Sequence, residues 1–166
     1  MASFLKLSEA VSIGLHAACL LGKEPQLVLT AEEIAASLEV SAAHLSKIMS
    51  RLKRAGLIKS ILGPGGGFAL ARAATDITLF DVLEGLEGPV DCTACLFSPA
   101  RCDGGGCVIG GISAEVNELV RHRMQSYSLA DVIRDDTILT IKELRPAPSQ
   151  GKPGPAGRKQ SRRVGR

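Results

Sequence analysis

Apolar residues recur at helical spacing along the first third of the chain, in three stretches separated by turn residues. The first stretch predicts a helix over residues 8–21, which Gly22 ends. Thr30, with Glu33 three residues later, has the pattern of a capping box and predicts the start of a short second helix. A third helix is expected over residues 42–55. Two short helices joined so closely are typical of a helix-turn-helix.

The predicted third helix has two faces of opposite character. Its apolar stripe must face a hydrophobic core and consists of Leu45, Ile48, Met49 and Leu52. Polar and basic side chains occupy the opposite side, namely His44, Ser46, Lys47, Ser50, Arg51 and Arg54. Beyond this helix, residues 57–61 and 68–70 predict two strands around the glycine-rich turn at residues 63–67. A hairpin placed directly after a helix-turn-helix predicts a winged helix-turn-helix.

The second half of the chain predicts further helices. Thr78 is expected to cap a helix over residues 79–86, Ser113 to cap a longer helix, and a short helix to follow over residues 129–134. The long helix carries an apolar seam of Val116, Leu119, Val120, Met124 and Tyr127. A complete winged domain leaves little for this seam to pack on, so a twofold dimer is the better interpretation and intramolecular core the alternative.

Positive charge is concentrated on the predicted helix-turn-helix and wing. Residues 41–75 contain six basic residues and no acidic one, although the whole chain carries a net charge of only +3. This distribution indicates a protein that binds the phosphate backbone of double-stranded DNA, with a merely solvated helix face as the alternative. One tyrosine, four phenylalanines and no tryptophan offer little stacking surface for single-stranded nucleic acid.

The composition, 45% hydrophobic and 22% charged, is that of a folded soluble protein. The longest apolar run near the start, residues 11–21, is too short to span a bilayer and lacks the flanks of a signal peptide. We therefore expect a cytoplasmic protein without a membrane partner, whose cysteines stay reduced. Residues 145–166 hold four prolines, four glycines and seven basic residues, and predict a disordered tail.

Four of the five cysteines fall within sixteen residues, as Cys92, Cys95, Cys102 and Cys107. Clustered thiolates are typical ligands of zinc, copper or iron–sulfur clusters. Zinc sites usually show two Cys-x2-Cys pairs, whereas the second pair here is spaced Cys-x4-Cys, so the irregular loop suits a larger inorganic core. Structural zinc and a thiol switch remain alternatives. Cys92 and Cys95 also have the spacing of a thiol oxidoreductase, but the strand–helix–strand context of such enzymes is missing, so we do not expect an enzyme.

Several short motifs, in their order and spacing, resemble the Rrf-two (IscR/NsrR-like) family of bacterial regulators. They are Leu15-His16-Ala17, Leu45-Ser46-Lys47-Ile48, Gly63-Pro64-Gly65-Gly66-Gly67-Phe68 and Leu79-Phe80-Asp81-Val82. The resemblance covers nearly all of residues 5–140. It implies a homodimeric DNA-binding regulator whose cysteine loop binds an iron–sulfur cluster, 2Fe–2S or 4Fe–4S, and whose long helix crosses its twin.

The expected DNA contacts combine this resemblance with the charge pattern. Positions that read base edges in the family carry Ala43, Ser46 and Lys47 here, whereas Arg51 and Arg54 suit phosphates. The complete expected set is Ala43, His44, Ser46, Lys47, Ser50, Arg51, Arg54, Gly65 and Gly66. The two wing glycines belong to it because the backbone can approach DNA closely where no Cβ stands in the way.

Two positions depart from the family pattern. In NsrR-like members a first-helix residue supplies a cluster ligand, and that position is Ser12 here, a poor iron ligand. The position of His16, one turn later, carries a histidine ligand in some members, and a helix-packing histidine is the simpler interpretation here. Leu62 stands before the wing's Gly-Pro, where the family often has an arginine that reaches the minor groove. The family loop commonly offers three cysteines at wider spacing, whereas this loop supplies four of its own and need not borrow a ligand from the first helix.

The sequence thus predicts a mainly α fold with a small β wing, in four segments. These are a winged helix-turn-helix DNA-binding domain (residues 1–88), a cysteine-rich cluster-binding loop (89–112), a dimerisation helix with a C-terminal segment (113–144) and a basic tail (145–166). The expected function is a transcription regulator that binds a double-stranded operator and senses redox state, oxygen, nitric oxide or iron–sulfur supply. No small-molecule substrate is expected.

Overall fold

The computed structural model of the chain describes residues 7–23, 25–90 and 107–134, which form six α-helices and a two-stranded antiparallel sheet. The elements are α1 (Glu9–Lys23), α2 (Ala31–Ser37), α3 (Ala42–Arg54), β1 (Ile58–Ile61), β2 (Gly67–Leu70), a 3-10 turn (Ala74–Asp76), α4 (Leu79–Glu87), α5 (Val108–Ser126) and α6 (Leu129–Arg134). The predicted mainly α fold with a small β wing is confirmed. Cys92, Cys95, Cys102 and the predicted tail lie outside the described residues.

The helix-turn-helix is α2 and α3, and local capping places both. Thr30 Oγ1 accepts from the amide of Glu33 at 3.2 Å, while the Glu33 carboxylate accepts from the amide of Thr30 at 2.8 Å. The hydroxyl of Ser41 accepts from the amide of His44 and caps α3. Between the helices, Glu39 has a φ of +54°, a left-handed conformation that costs a non-glycine residue about 1–2 kcal/mol. The turn between α2 and α3 therefore contains one strained residue.

The hydrophobic core surrounds α1, which packs against α3, α4, α6 and the second strand of the wing. An added Cβ on Gly14 would lie 2.3 Å from Leu86 Cδ1, so α1 and α4 approach each other more closely than a larger residue would allow. The apolar stripe predicted for α3 is buried here, as Leu45, Ile48, Met49 and Leu52. This packing fixes which side of α3 faces outward.

The wing has one connection that the sequence did not reveal. Its two strands pair with Ile58 opposite Leu70 and Ser60 opposite Phe68. Leu29, just before α2, adds a bridge to Phe68 through two backbone hydrogen bonds of 3.2 Å and 2.8 Å. The wing is thereby attached to the start of the helix-turn-helix.

Two predicted helix boundaries were wrong. Helix α1 continues through Gly22 to Lys23, because Gly22 makes room for α6: an added Cβ would lie 2.7 Å from Ile133 Cδ1. The long helix α5 begins at Val108 and not after Ser113, with Cys107 as its N-cap. The adjacent glycines at residues 110 and 111 read as loop in the sequence, but they lie inside the first turns of this helix. Five residues assigned to the cysteine loop, 108–112, are therefore helical.

Candidate functional site

The outward face of α3 matches the predicted DNA-contacting face in exposure and charge. Ala43, Ser46, Lys47, Ser50, Arg51 and Arg54 are all exposed. The helix contains no acidic residue, and Lys47, Arg51 and Arg54 have no carboxylate within 4.0 Å in the described part of the chain. Ser50 Oγ donates to the carbonyl of Ser46 at 2.8 Å, which orients that hydroxyl along the helix. The face is thus a row of free cations and short polar groups.

His44 has a different placement from its neighbours on this face. Its side chain is half-buried, and Nε2 is screened from solvent with no hydrogen-bond partner among the described residues. A buried ring nitrogen without a hydrogen-bond partner costs free energy, so His44 Nε2 would gain from contact with a polar group. A contact between His44 and DNA stays a prediction.

The wing tip is shaped by glycines. Gly63 and Gly65 have φ values of +111° and +79°, which only glycine adopts without strain. A Cβ on Gly66 would lie 2.3 Å from the carbonyl oxygen of Ile61, and its amide donates to the carbonyl of Gly63 at 2.9 Å. Gly65 is exposed and Gly66 is half-buried. Leu62, 93% exposed, projects from the tip as an apolar side chain.

Cys107 is the one predicted cluster ligand that lies within the described residues. Its thiol is free and exposed, and Sγ accepts from the amide of Gly110 at 3.2 Å as the N-cap of α5. In residues 7–23, 25–90 and 107–134, no three His, Cys, Asp or Glu side chains gather into a metal site. An accessible soft sulfur at a helix N-terminus fits a ligand of an anionic thiolate-bound cluster, because negative charge is favoured there.

Cys19 differs from Cys107 in every respect that matters for ligation. It lies on α1 in the hydrophobic core of the protein, and burial raises the pKa of its thiol to about 11. The thiolate is the form that binds metals, so Cys19 is a packing residue at neutral pH.

His16 and Ser12 line an open cavity of about 310 Å³ between α1 and the turn after α2, together with Ile13, Ser37, Leu38 and Glu39. His16 Nδ1 lies 2.7 Å from the carbonyl oxygen of Ser12, four residues earlier in α1. Because a carbonyl only accepts, Nδ1 carries the hydrogen in this arrangement. The hydrogen bond ties the imidazole to its own helix, which agrees with a packing role.

The apolar seam predicted on α5 divides into two parts. Met124 is buried against the chain's own core and Val116 and Val120 are half-buried, whereas Leu119 is 58% and Tyr127 49% exposed. The exposed part continues toward the N-terminus through Val108, Ile109 and Ile112, which sequence reasoning missed. The four-residue spacing of Val108, Ile112 and Val116 was the available signal, and the glycines between them hid it. We call the exposed set Val108, Ile109, Ile112, Leu119 and Tyr127 the outer face of α5.

The end of α5 is fixed to the winged domain. Leu79 donates from its amide to the carbonyl of Tyr127 at 3.0 Å, and Leu129 donates to the carbonyl of Ile77 at 2.8 Å. Hydrogen bonds from the hydroxyl and the amide of Ser128 hold the pKa of the Asp131 carboxyl below its usual range. The long helix therefore has a defined direction relative to α3. None of the helices in the described ranges is long and apolar enough to cross a membrane.

Comparisons with known proteins agree with this architecture. The profile of the Rrf2 family, described as "Iron-dependent Transcriptional regulator", matches residues 7–135. The HTH-type transcriptional regulator IscR of Vibrio atlanticus (strain LGP32) is 30% identical over 105 residues, which cover 63% of this chain and 60% of that protein. The match thus spans less than two thirds of the length of this relative.

Two solved structures are similar over most of the chain. One is the IscR of T. potens, with a TM-score of 0.66 and 28% identity, covering 80% of this chain and 89% of that chain. The other is CymR (YrzC), the global cysteine regulator of B. subtilis, with a TM-score of 0.67 and 26% identity, covering 80% of this chain and 98% of that chain. The named relatives are regulators and not enzymes, in agreement with the sequence-based expectation. The chain belongs to the Rrf2 family of transcriptional regulators.

Proposed function

We propose that this chain is a homodimeric transcription regulator that binds a double-stranded operator and responds to redox state, oxygen, nitric oxide or iron–sulfur supply through a cysteine-ligated iron–sulfur cluster. The observation that carries the proposal is the outward face of α3. Its cations and hydroxyls are exposed, no acid lies on the helix, and no carboxylate neutralises the cations within 4.0 Å in the part of the chain that the structure describes. A phosphate backbone is the partner that such a face fits.

In this proposal α3 enters the major groove with its first turns against the base edges. Ala43, Ser46 and Lys47 lie on those turns, with His44 between them, and read the sequence. Arg51 and Arg54 lie near the end of the helix and hold phosphates, which gives affinity without sequence information. The backbone at Gly65 and Gly66 approaches the DNA beside them.

The outer face of α5 supports a second copy of the chain as partner. Ile112 and Leu119 are 53% and 58% exposed, one heptad apart on one helix, which is the spacing of a helix–helix contact. A twofold axis along this face also gives two recognition helices, which suit the two halves of a near-palindromic operator. Val116 and Val120 border the same contact, while Met124 remains in the core of its own chain.

The cluster is proposed to be held by Cys92, Cys95, Cys102 and Cys107. A bound iron–sulfur cluster supplies a group that changes charge or is lost when it is oxidised, nitrosylated or deprived of iron. Cys107 supports this assignment as an accessible thiol at the first turn of α5, so that one ligand belongs to the helix that carries the proposed dimer face. In the reducing cytoplasm these thiols would not form disulfides and would stay available as cluster ligands.

Anaerobic purification followed by absorbance, electron paramagnetic resonance and analysis for iron, sulfide and zinc tests the cluster. Cys107→Ser is the sharpest variant, because serine keeps an N-cap on α5 and removes the soft ligand. We expect Cys107→Ser and Cys102→Ala to lose the chromophore and to change operator affinity, while the buried Cys19→Ala keeps both. Stoichiometric zinc without sulfide would support a structural zinc site in its place. Unchanged absorbance and affinity in Cys107→Ser would exclude this residue as a ligand.

A further inference from the structure

The last turns of α3 and α4 lie side by side and enclose a groove. The two segments approach each other closely at Gly85, since an added Cβ would lie 3.0 Å from both Ala55 Cβ and Leu57 Cδ1. The groove has a volume of about 400 Å³ and is open to solvent. It is lined by Arg51, Arg54, Ala55, Glu84, Gly85, Glu87 and Gly88. We call it the α3–α4 groove.

The groove brings two arginines of the recognition helix to the same space as two glutamates of α4. All four side chains are exposed, and no ion pair within 4.0 Å joins them in the described structure. Exposed charges that line one groove without forming an ion pair still interact, because the Debye length at physiological salt is about 8 Å. Each guanidinium can therefore turn to a carboxylate of its own chain or to an external phosphate, and the two choices compete.

The two glutamates are held by different parts of the chain. Glu87 Oε1 accepts from the hydroxyl of Ser8 at 2.5 Å, which ties it to the start of α1. Glu84 Oε1 accepts from the amide of Val90 at 3.4 Å. Val90 follows Gly88, whose φ of +87° turns the chain out of α4. Glu84 thus contacts both the groove and the segment by which the chain leaves α4 toward Cys92.

We infer that Glu84 and Glu87 set the strength with which Arg51 and Arg54 hold the DNA backbone, and that the Glu84–Val90 hydrogen bond makes this strength depend on the exit from α4. While Val90 holds Glu84, that carboxylate competes less for the arginines. When Val90 is displaced, Glu84 turns to Arg51 or Arg54 and weakens the phosphate contacts. Glu84 is a positioning residue that acts through the arginines and touches no base. This inference rests on the proposed function and assigns a regulatory role to residues outside the DNA-contacting face.

The test compares Glu84→Gln, Glu87→Gln and Glu118→Gln with the wild-type full chain. Glu118 is the matched control, because it is an exposed glutamate on α5 that pairs with Arg121 and does not line the groove. Binding is measured by fluorescence anisotropy on a duplex that the wild type selects from a random library, and on a scrambled duplex. Each protein is measured with its cluster and after anaerobic removal of the cluster by a chelator.

Without the cluster, Glu84→Gln and Glu87→Gln should each bind both duplexes about two- to fivefold more tightly than wild type, as expected for loss of one exposed competing charge. The ratio between selected and scrambled duplex should not change, because phosphates carry no sequence information. The proposed ligand Cys92 lies two residues after Val90 in the sequence, so a bound cluster is expected to keep Val90 in place on Glu84. With the cluster, the gain of Glu84→Gln should therefore shrink and that of Glu87→Gln should persist. Glu118→Gln should show no gain in either form.

Two results would overturn the inference while leaving the proposed function intact. If Glu84→Gln and Glu87→Gln bind no more tightly than Glu118→Gln, the groove does not tune the arginines. If the gain in affinity of Glu84→Gln is the same with and without the cluster, the hydrogen bond between Glu84 and Val90 does not couple the cluster to DNA binding. A wild type that carries no sulfide and selects no duplex would instead overturn both the proposed function and this inference.

Discussion

Helices α3 and α5 both carry an apolar and a polar side, yet they use their apolar residues in opposite ways. In α3 the four residues of the apolar stripe are at most 2% exposed, and all the outward positions are polar, basic or alanine. In α5 only Gly110 and Met124 are buried, and large apolar side chains such as Leu119 and Ile112 point to solvent. Helix α3 thus completes its packing within one chain and presents charge to solvent, whereas α5 leaves large apolar side chains unpacked in the single chain.

The largest expected difference between the two helices comes from shortening one leucine on each. Leu45→Ala in α3 should lower the free energy of unfolding by about 3 kcal/mol, because it removes a fully buried side chain. Leu119→Ala in α5 should cost less than about 0.5 kcal/mol in dilute protein, because its side chain is already exposed in the single chain. Urea titration at low protein concentration measures both. Equal losses would show that the outer face of α5 packs within its own chain.

The second test concerns association. Leu119→Glu should weaken self-association roughly 100-fold or more, because twofold symmetry would bury two unpaired carboxylates in one interface. Sedimentation velocity over a range of concentrations measures the shift from dimer to monomer. Gln125→Glu adds the same charge to an exposed position of the same helix outside the outer face, and should leave association unchanged. A Leu119→Glu protein that stays dimeric would place the dimer contact elsewhere.

On α3, Arg51→Gln should weaken binding to every duplex about three- to tenfold and reduce the slope of log affinity against log salt by about one, since one phosphate contact is lost. Arg134→Gln removes a charge of the same kind from α6, at the far end of the described chain, and should change neither quantity. Anisotropy titrations at four salt concentrations give both values. A normal salt slope in Arg51→Gln would remove Arg51 from the phosphate contacts.

The smallest expected difference lies in the two N-caps. Ser41→Ala should destabilise the cluster-free protein by about 1 kcal/mol, because the amide of His44 loses its acceptor. Cys107→Ser replaces one acceptor by a better one at the start of α5, so its unfolding free energy should change by less than about 0.5 kcal/mol. Thermal unfolding followed by circular dichroism compares them. A loss in Cys107→Ser as large as that in Ser41→Ala would mean that the sulfur stabilises α5 by more than its cap.

Sequence patterns predicted the elements whose signals are local. The pairs Thr30 with Glu33 and Thr78 with Asp81 are three residues apart, and both form the reciprocal hydrogen bonds of a capping box. The faces of α3 followed from periodicity alone. The roles of the glycines were harder to predict, because a glycine that ends a helix and a glycine that lets a helix pack closely look the same in sequence. Gly22 is of the second kind only because Ile133 lies against it.

The candidate site was predictable to the same extent. The basic and polar positions of α3 could be named from charge and spacing, since a helix fixes which residues share a face. The acids of the α3–α4 groove could not, because Glu84 and Glu87 line the same groove as Arg51 and Arg54 only through the packing of Gly85 against Ala55. Proximity between distant segments depends on the whole core, and no short pattern carries it.

The two ends of α5 are held by different contacts, Cys107 at the first turn and Leu79 at the last. A helix of 19 residues is about 28 Å long, so a tilt of 5° at its first turn would displace its far end by about 2.4 Å if that end were free. The far end is instead pinned to α4 by the hydrogen bond between Leu79 and Tyr127. Gly110 and Gly111 soften the first turn, because glycine weakens a helix interior. A change at the sulfur of Cys107 would therefore bend α5 mainly within this first turn. Only the rest of the movement would reach the winged domain, through the hydrogen bond between Leu79 and Tyr127.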